Sequence, residues 1–88
     1  MPTKRYVLQL SLPDRPGALG QVASRIGAVG GDIVAIDILS RSGGRAVDEF
    51  VVELEGDHLM DLLRQEIHEV DGVRLVDAVR QPPTAVED

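Results

Sequence analysis

The chain has 88 residues, a formal net charge of −6, and neither cysteine nor tryptophan. At this length it makes one small domain, which buries only about 60% of its unfolded surface. The missing thiols exclude disulfides, thiolate metal sites and cysteine nucleophiles.

Charge is unevenly spread: residues 1–45 carry six Lys/Arg and three Asp/Glu, and residues 46–88 carry three and twelve. An acidic chain with one Tyr and one Phe lacks the basic patch and the stacking platform that nucleic acid needs. The acidic half reads as solvated surface. The longest apolar run, Ile33 to Ile36, is far below the ~20 residues that span a bilayer, so no membrane contact is expected. The first residues lack the apolar stretch of a signal peptide, and a cytoplasmic protein is expected.

In chain order, Tyr6, Leu8, Leu10 and Leu12 alternate with Val7, Gln9 and Ser11, the period of a half-buried strand. Pro13-Asp14-Arg15-Pro16-Gly17 breaks it. Leu19, Val22, Ala23, Ile26 and Val29 then recur at helical spacing and predict a helix over about Pro16–Val29. Asp14 serves as its expected cap, Pro16 lies in its first turn, and Gly30-Gly31 stops it. Ile33–Leu39 reads as a second strand, apolar on both faces apart from Asp37. Alternation puts Val34, Ile36 and Ile38 on one face and Ile33, Ala35 and Leu39 on the other. Ser40–Gly44, with two glycines, suits a hairpin turn. Ala46–Glu55 is a third strand with Phe50, Val52 and Leu54 on one side and Val47, Glu49, Val51 and Glu53 on the other. Leu59, Leu62, Leu63, Ile67 and Val70 line a second helix, which Asp71-Gly72 closes. Val73–Arg80 is the last strand. Residues 1–81 form the domain, and residues 82–88 read as a flexible tail or linker stub.

The order β-α-β-β-α-β predicts an α+β, ferredoxin-like sandwich: one four-stranded antiparallel sheet, order 4-1-3-2, with two helices on one face. The second and fourth strands are then the edges. The fourth is guarded by Arg74, Asp77 and Arg80. The second is apolar and unguarded, an open template for another chain.

Catalytic chemistry finds little support. His68 lies opposite the apolar stripe of its helix. His58, beside Asp57 and Asp61, lacks a third good metal ligand. None of the four serines, at 11, 24, 40 and 42, sits in a nucleophile elbow. There is neither a GxGxxG motif nor a Walker loop. No cofactor is expected, and the chain is not expected to be an enzyme. Arg15 is the one loop residue an enzyme reading would lean on, and it has no visible partner.

What remains is Leu12-Pro-Asp-Arg-Pro-Gly-Ala-Leu19, the join between the first strand and the first helix. One reading is a rigid structural loop. The other is a ligand site, because a helix start offers free N–H groups and the positive end of the dipole to a carboxylate.

Asp14-Arg-Pro-Gly-Ala-Leu19, followed by Gly30-Gly-Asp-Ile33 opening an apolar strand, resembles the ACT domain family over residues 5–80. The resemblance implies a regulatory domain that binds a small molecule, most often an amino acid, and pairs through the second strand into one eight-stranded sheet. By position, Asp14, Arg15, Pro16, Gly17, Ala18 and Leu19 would form the loop wall of the ligand site. Asp32 and Ile33 of a second subunit would face them. Ile33, Val34, Ala35, Ile36, Asp37 and Ile38 would form the dimer interface. Amino-acid-binding members often carry Asn where this chain has Asp14 and Asp32. The two acids here suit an ammonium group, leaving a ligand carboxylate to the N–H groups near Gly17 and Ala18. Position 12 is Leu where serine-responsive members are often polar. The resemblance thus implies an effector-binding module that controls an enzyme or regulator of amino-acid metabolism. The alternative it leaves is a ligand-free assembly module.

Overall fold

A computed structural model describes residues 3–81, so the expected tail at 82–88 lies outside the described residues. The elements are β1 Lys4–Pro13, α1 Ala18–Ala28, β2 Asp32–Ser42, β3 Arg45–Leu54, α2 His58–His68 and β4 Arg74–Arg80. The strands form one antiparallel sheet in the order β2-β3-β1-β4, the expected topology read from its other edge. No helix among the described residues is long and apolar enough to cross a membrane.

The core follows the strand period. Tyr6, Leu8, Leu10 and Leu12 of β1 and Phe50, Val52 and Leu54 of β3 turn to the helix side and are buried. Leu8 and Phe50 are cross-strand partners. Over them lie Ala18, Val22 and Ile26 of α1, with Val29 beyond its end, and Met60, Leu63 and Ile67 of α2, with Val70 beyond its end. Two expected core positions differ. Leu19 and Leu62 are exposed: each lies one residue off the buried stripe, whose members are Ala18 in α1 and Leu63 in α2. Arg25 bridges the helices, donating to Glu66 at 3.0 Å and Glu69 at 2.8 Å.

Only the first helix begins later than periodicity suggests; α2 starts at His58, next to the Gly56-Asp57 turn. α1 starts at Ala18, not Pro16, and Asp14 does not cap it. Its end is closed by the Gly31 N–H donating to Ile26 O at 3.0 Å, the six-to-one bond of a glycine helix stop.

The hairpin is tighter than expected. β2 runs to Ser42 and β3 starts at Arg45, so only Gly43 and Gly44 turn the chain. Both have positive φ, 60° and 79°, as a type I′ turn requires.

The faces of β2 need correction. Pairing with β3 slips between Ile33 and Ala35 and again between Ile38 and Ser40. Val34 and Leu39 are therefore extra residues, each making a bulge that resets the alternation. Ile33 pairs with Val52, Ile36 with Phe50, Ile38 with Asp48 and Arg41 with Ala46. These four share the helix face, while Asp32, Ala35, Asp37 and Ser40 share the open face. The bulges also make this edge less flat than expected, one of the devices by which natural edges limit indiscriminate pairing.

Candidate functional site at the start of helix α1

Two hydrogen bonds and one dihedral angle set the β1–α1 loop. The Asp14 N–H donates to Gly44 O at 2.8 Å, tying the loop to the hairpin tip. Gly17 has φ 88°, ψ −16°, left-handed backbone immediately before α1. A Cβ there would meet nothing within 4 Å, so glycine is needed for conformation and not for room. The Gln21 N–H reaches Gly17 O at 3.0 Å and the Ala18 N–H reaches Arg15 O at 3.3 Å. The N–H groups of Leu19 and Gly20 find no backbone acceptor among the described residues. They are the orphan donors of a helix start.

Asp14, Arg15, Pro16 and Gly17 are all exposed, and Leu19 is exposed beside them. Arg15 donates to Gln21 Oε1 at 3.4 Å. Ala18 turns its methyl into the core, so its side chain is not on the surface of the loop. Asp32 and Ile33 lie elsewhere. Asp32 is in register with Glu53, which pairs with Arg5, whereas Pro13, next to the loop, is in register with Arg45 at the hairpin end. At about 3.3 Å per residue, roughly 25 Å of strand separates the two levels. One chain does not bring Asp14 and Asp32 together.

The loop does sit beside a residue that alternation from Phe50 would have found. Asp48 lies two positions before Phe50 on β3 and shares its inward face. It is 3% exposed, and its Oδ1 has no hydrogen-bond partner among the described residues. Burial pushes its carboxyl above the usual carboxylate range; the Arg41 guanidinium works against that shift and Asp14 adds to it. Toward the outer edge the same face carries Ile36, Ile38 and Arg41, all exposed.

On its other side the loop borders an open groove lined by Arg15, Gly17, Gln21 and Ser24 and, across it, Glu69 and Asp71. His58 and His68 are exposed, and no cluster of metal-ligating side chains occurs among the described residues. At the far end of the sheet the Tyr6 hydroxyl donates to Asp57. Burial first, and that bond second, push the Tyr6 phenol up to about 12. The same bond holds the Asp57 carboxyl below its ordinary value.

A family model for the ACT domain matches residues 6–72. The chain belongs to the ACT domain family. No curated protein matches this ACT chain. Among solved structures it is similar to an uncharacterized protein from Thermotoga maritima, at 21% identity and TM-score 0.67 over 92% of this chain and 100% of the other. It is also similar to the ACT domain of a GTP pyrophosphokinase from Chlorobium tepidum, at 15% identity and TM-score 0.68 over 91% and 100%. A putative glycine cleavage system transcriptional repressor matches at 16% identity and TM-score 0.72 over all of this chain, which spans 51% of that protein. At such identities the likeness to these structures is one of fold.

Proposed function

We propose that this ACT domain is a regulatory module that binds a small effector, an amino acid or a close analogue, at the interface of a homodimer, and performs no chemistry itself. The observation that carries the reading is the uncovered apolar strip of β2 beside a helix start with orphan N–H donors. Of the large apolar side chains that remain exposed, Val34, Ile36, Ile38 and Leu39 lie along β2, and Leu19 lies in the first turn of α1. Pairing of β2 with β2 of a second copy runs the partner strand in reverse. Asp32 of the partner subunit then lies toward the hairpin end, near the loop that its own chain keeps far away. The site built this way takes Asp14, Arg15, Pro16, Gly17, the Ala18 backbone and Leu19 from one subunit, and Asp32 and Ile33 from the other. The family, and the regulatory proteins named among the similar folds, support a role in controlling an enzyme or a transcriptional regulator.

Two measurements test the reading. Light scattering at micromolar concentration should give a dimer or a multiple of it; a clean 9.5 kDa species refutes the assembly. A thermal-shift panel of amino acids should raise the melting temperature with at least one member, because a ligand bound to the native state stabilises it. The same ligand should tighten the dimer, since coupling between two equilibria is reciprocal. A stable dimer that responds to no ligand identifies a pure assembly module.

A further inference from the structure

β3 sends Ala46, Asp48, Phe50, Val52 and Leu54 inward. Four of these are apolar, and the fifth is a carboxylate with an unpartnered, enclosed oxygen. Burying such an atom without a partner is costly, and folded proteins keep few of them. In the sheet, Asp48 lies between Leu10 on β1 and Ile38 on β2. One step toward the hairpin on the same face is Arg41, opposite Ala46. Arg41 is exposed and makes neither a hydrogen bond nor an ion pair among the described residues. Its charge nevertheless acts on Asp48, and so does that of Asp14 in the loop above. Ile36 and Ile38, the latter 53% exposed, leave an apolar strip alongside. The orphan N–H groups of Leu19 and Gly20 open the helix that begins over this corner.

A buried carboxyl group, a guanidinium without a partner among the described residues and an apolar strip thus meet within one subunit. A zwitterionic α-amino acid with an apolar side chain presents the complement of all three. A plain carboxylic acid pairs with Arg41 and leaves Asp48 without a cation. A plain amine leaves Arg41 unmatched. We infer that Asp48 receives the α-ammonium group of an amino-acid effector and Arg41 its carboxylate, with Ile36 and Ile38 beneath an apolar side chain. This inference rests on the effector reading above and sharpens it. It moves the ammonium contact from Asp32 to a residue on β3, and it selects apolar over polar amino acids. An ammonium at Asp48 meets a charge shielded from water, where the pair attracts more strongly than at the exposed Asp14 or Asp32.

The test uses the full chain and the twenty protein amino acids as probes, by thermal shift and then calorimetry. The amino acid with the largest shift, expected to be apolar, is compared with its N-acetyl and its carboxamide derivatives. N-acetylation should abolish binding, and the carboxamide should bind more weakly. Asp48→Asn should bind the amino acid about 10- to 100-fold more weakly, with a ligand-free melting temperature equal to or above that of the wild type. Arg41→Gln, at an exposed position, should bind more weakly and lose the preference for acid over carboxamide. Glu49→Gln removes the same charge from the opposite face of β3 and should bind as the wild type does. A wild type that responds to no amino acid overturns both the effector reading and this inference. A wild type that binds while Asp48→Asn binds equally tightly overturns this inference alone. If Asp48→Asn does not fold, unchanged affinity in Arg41→Gln together with retained binding of the N-acetyl derivative overturns it.

Discussion

Two parts of one sheet face carry the same kind of residue and do different work. On β1 and β3, Leu8, Leu10, Phe50 and Val52 are sealed under the two helices. On β2 the same face presents Ile36 and Ile38 to water. The side chains are equally apolar; what differs is the cover. Hydrophobic stabilisation follows area removed from water. The covered residues therefore stabilise the folded chain, while the uncovered ones contribute only when a second surface arrives. A strand's composition does not distinguish the two roles, and its place in the sheet does.

The contrast can be broken most forcefully at Phe50. Phe50→Ala should cost roughly 3–5 kcal/mol, a large part of the ~5–15 kcal/mol that holds a typical domain. Urea denaturation measures it, and a loss below about 1 kcal/mol would mean that the covered half is not the source of stability. Gly17→Val comes next. A β-branched residue in left-handed backbone should cost about 1–3 kcal/mol, and Gly17→Asn less, because Asn enters that region more readily. Equal stability of all three chains would show that the loop relaxes out of its left-handed turn. Ile38→Lys should leave monomer stability within about 0.5 kcal/mol of the wild type while driving the light-scattering mass to 9.5 kDa. A large loss in the urea melt would place Ile38 with the covered residues instead. The last effect is confined to alkaline pH. Tyr6 has a folded pKa of about 12 against an ordinary 10.0. The neutral phenol is thus favoured in the native state. Its contribution is complete below the unfolded pKa and is lost as pH rises through the folded one. Tyr6 is the only tyrosine, so phenolate absorbance follows it alone. A midpoint at the ordinary value would show that this end of β1 is open to water.

Much of this was legible in the sequence. The strand order follows from the succession of elements, and the core of β1 follows from strict alternation. Gly43-Gly44 marked the hairpin. The faces of β2 were not legible, because the strand is apolar on both sides. A bulge at Val34 or Leu39 inserts a residue that looks like its neighbours, so the pattern carries no trace of the slip. In β1, where polar and apolar residues alternate, the same slip would have been visible. The start of α1 was misplaced because Pro16 and Asp14 are good first-turn residues. Only the left-handed backbone of Gly17 reveals that the helix waits for Ala18. Asp48 was readable: it shares the parity of Phe50, Val52 and Leu54, and an acid on a buried face is the kind of local conflict that marks a site.

The hydrogen bond from Asp14 to Gly44 makes a loop and a hairpin tip a single unit of local opening. The tip of an edge hairpin is ordinarily among the first segments to fray, and a loop ahead of a helix frays on its own schedule. Joined here, each opens against the same bond, and the Asp14 amide meets solvent when either moves away. Exchange at that one amide therefore reads the joint between the two, and anything that holds the loop against the tip slows it.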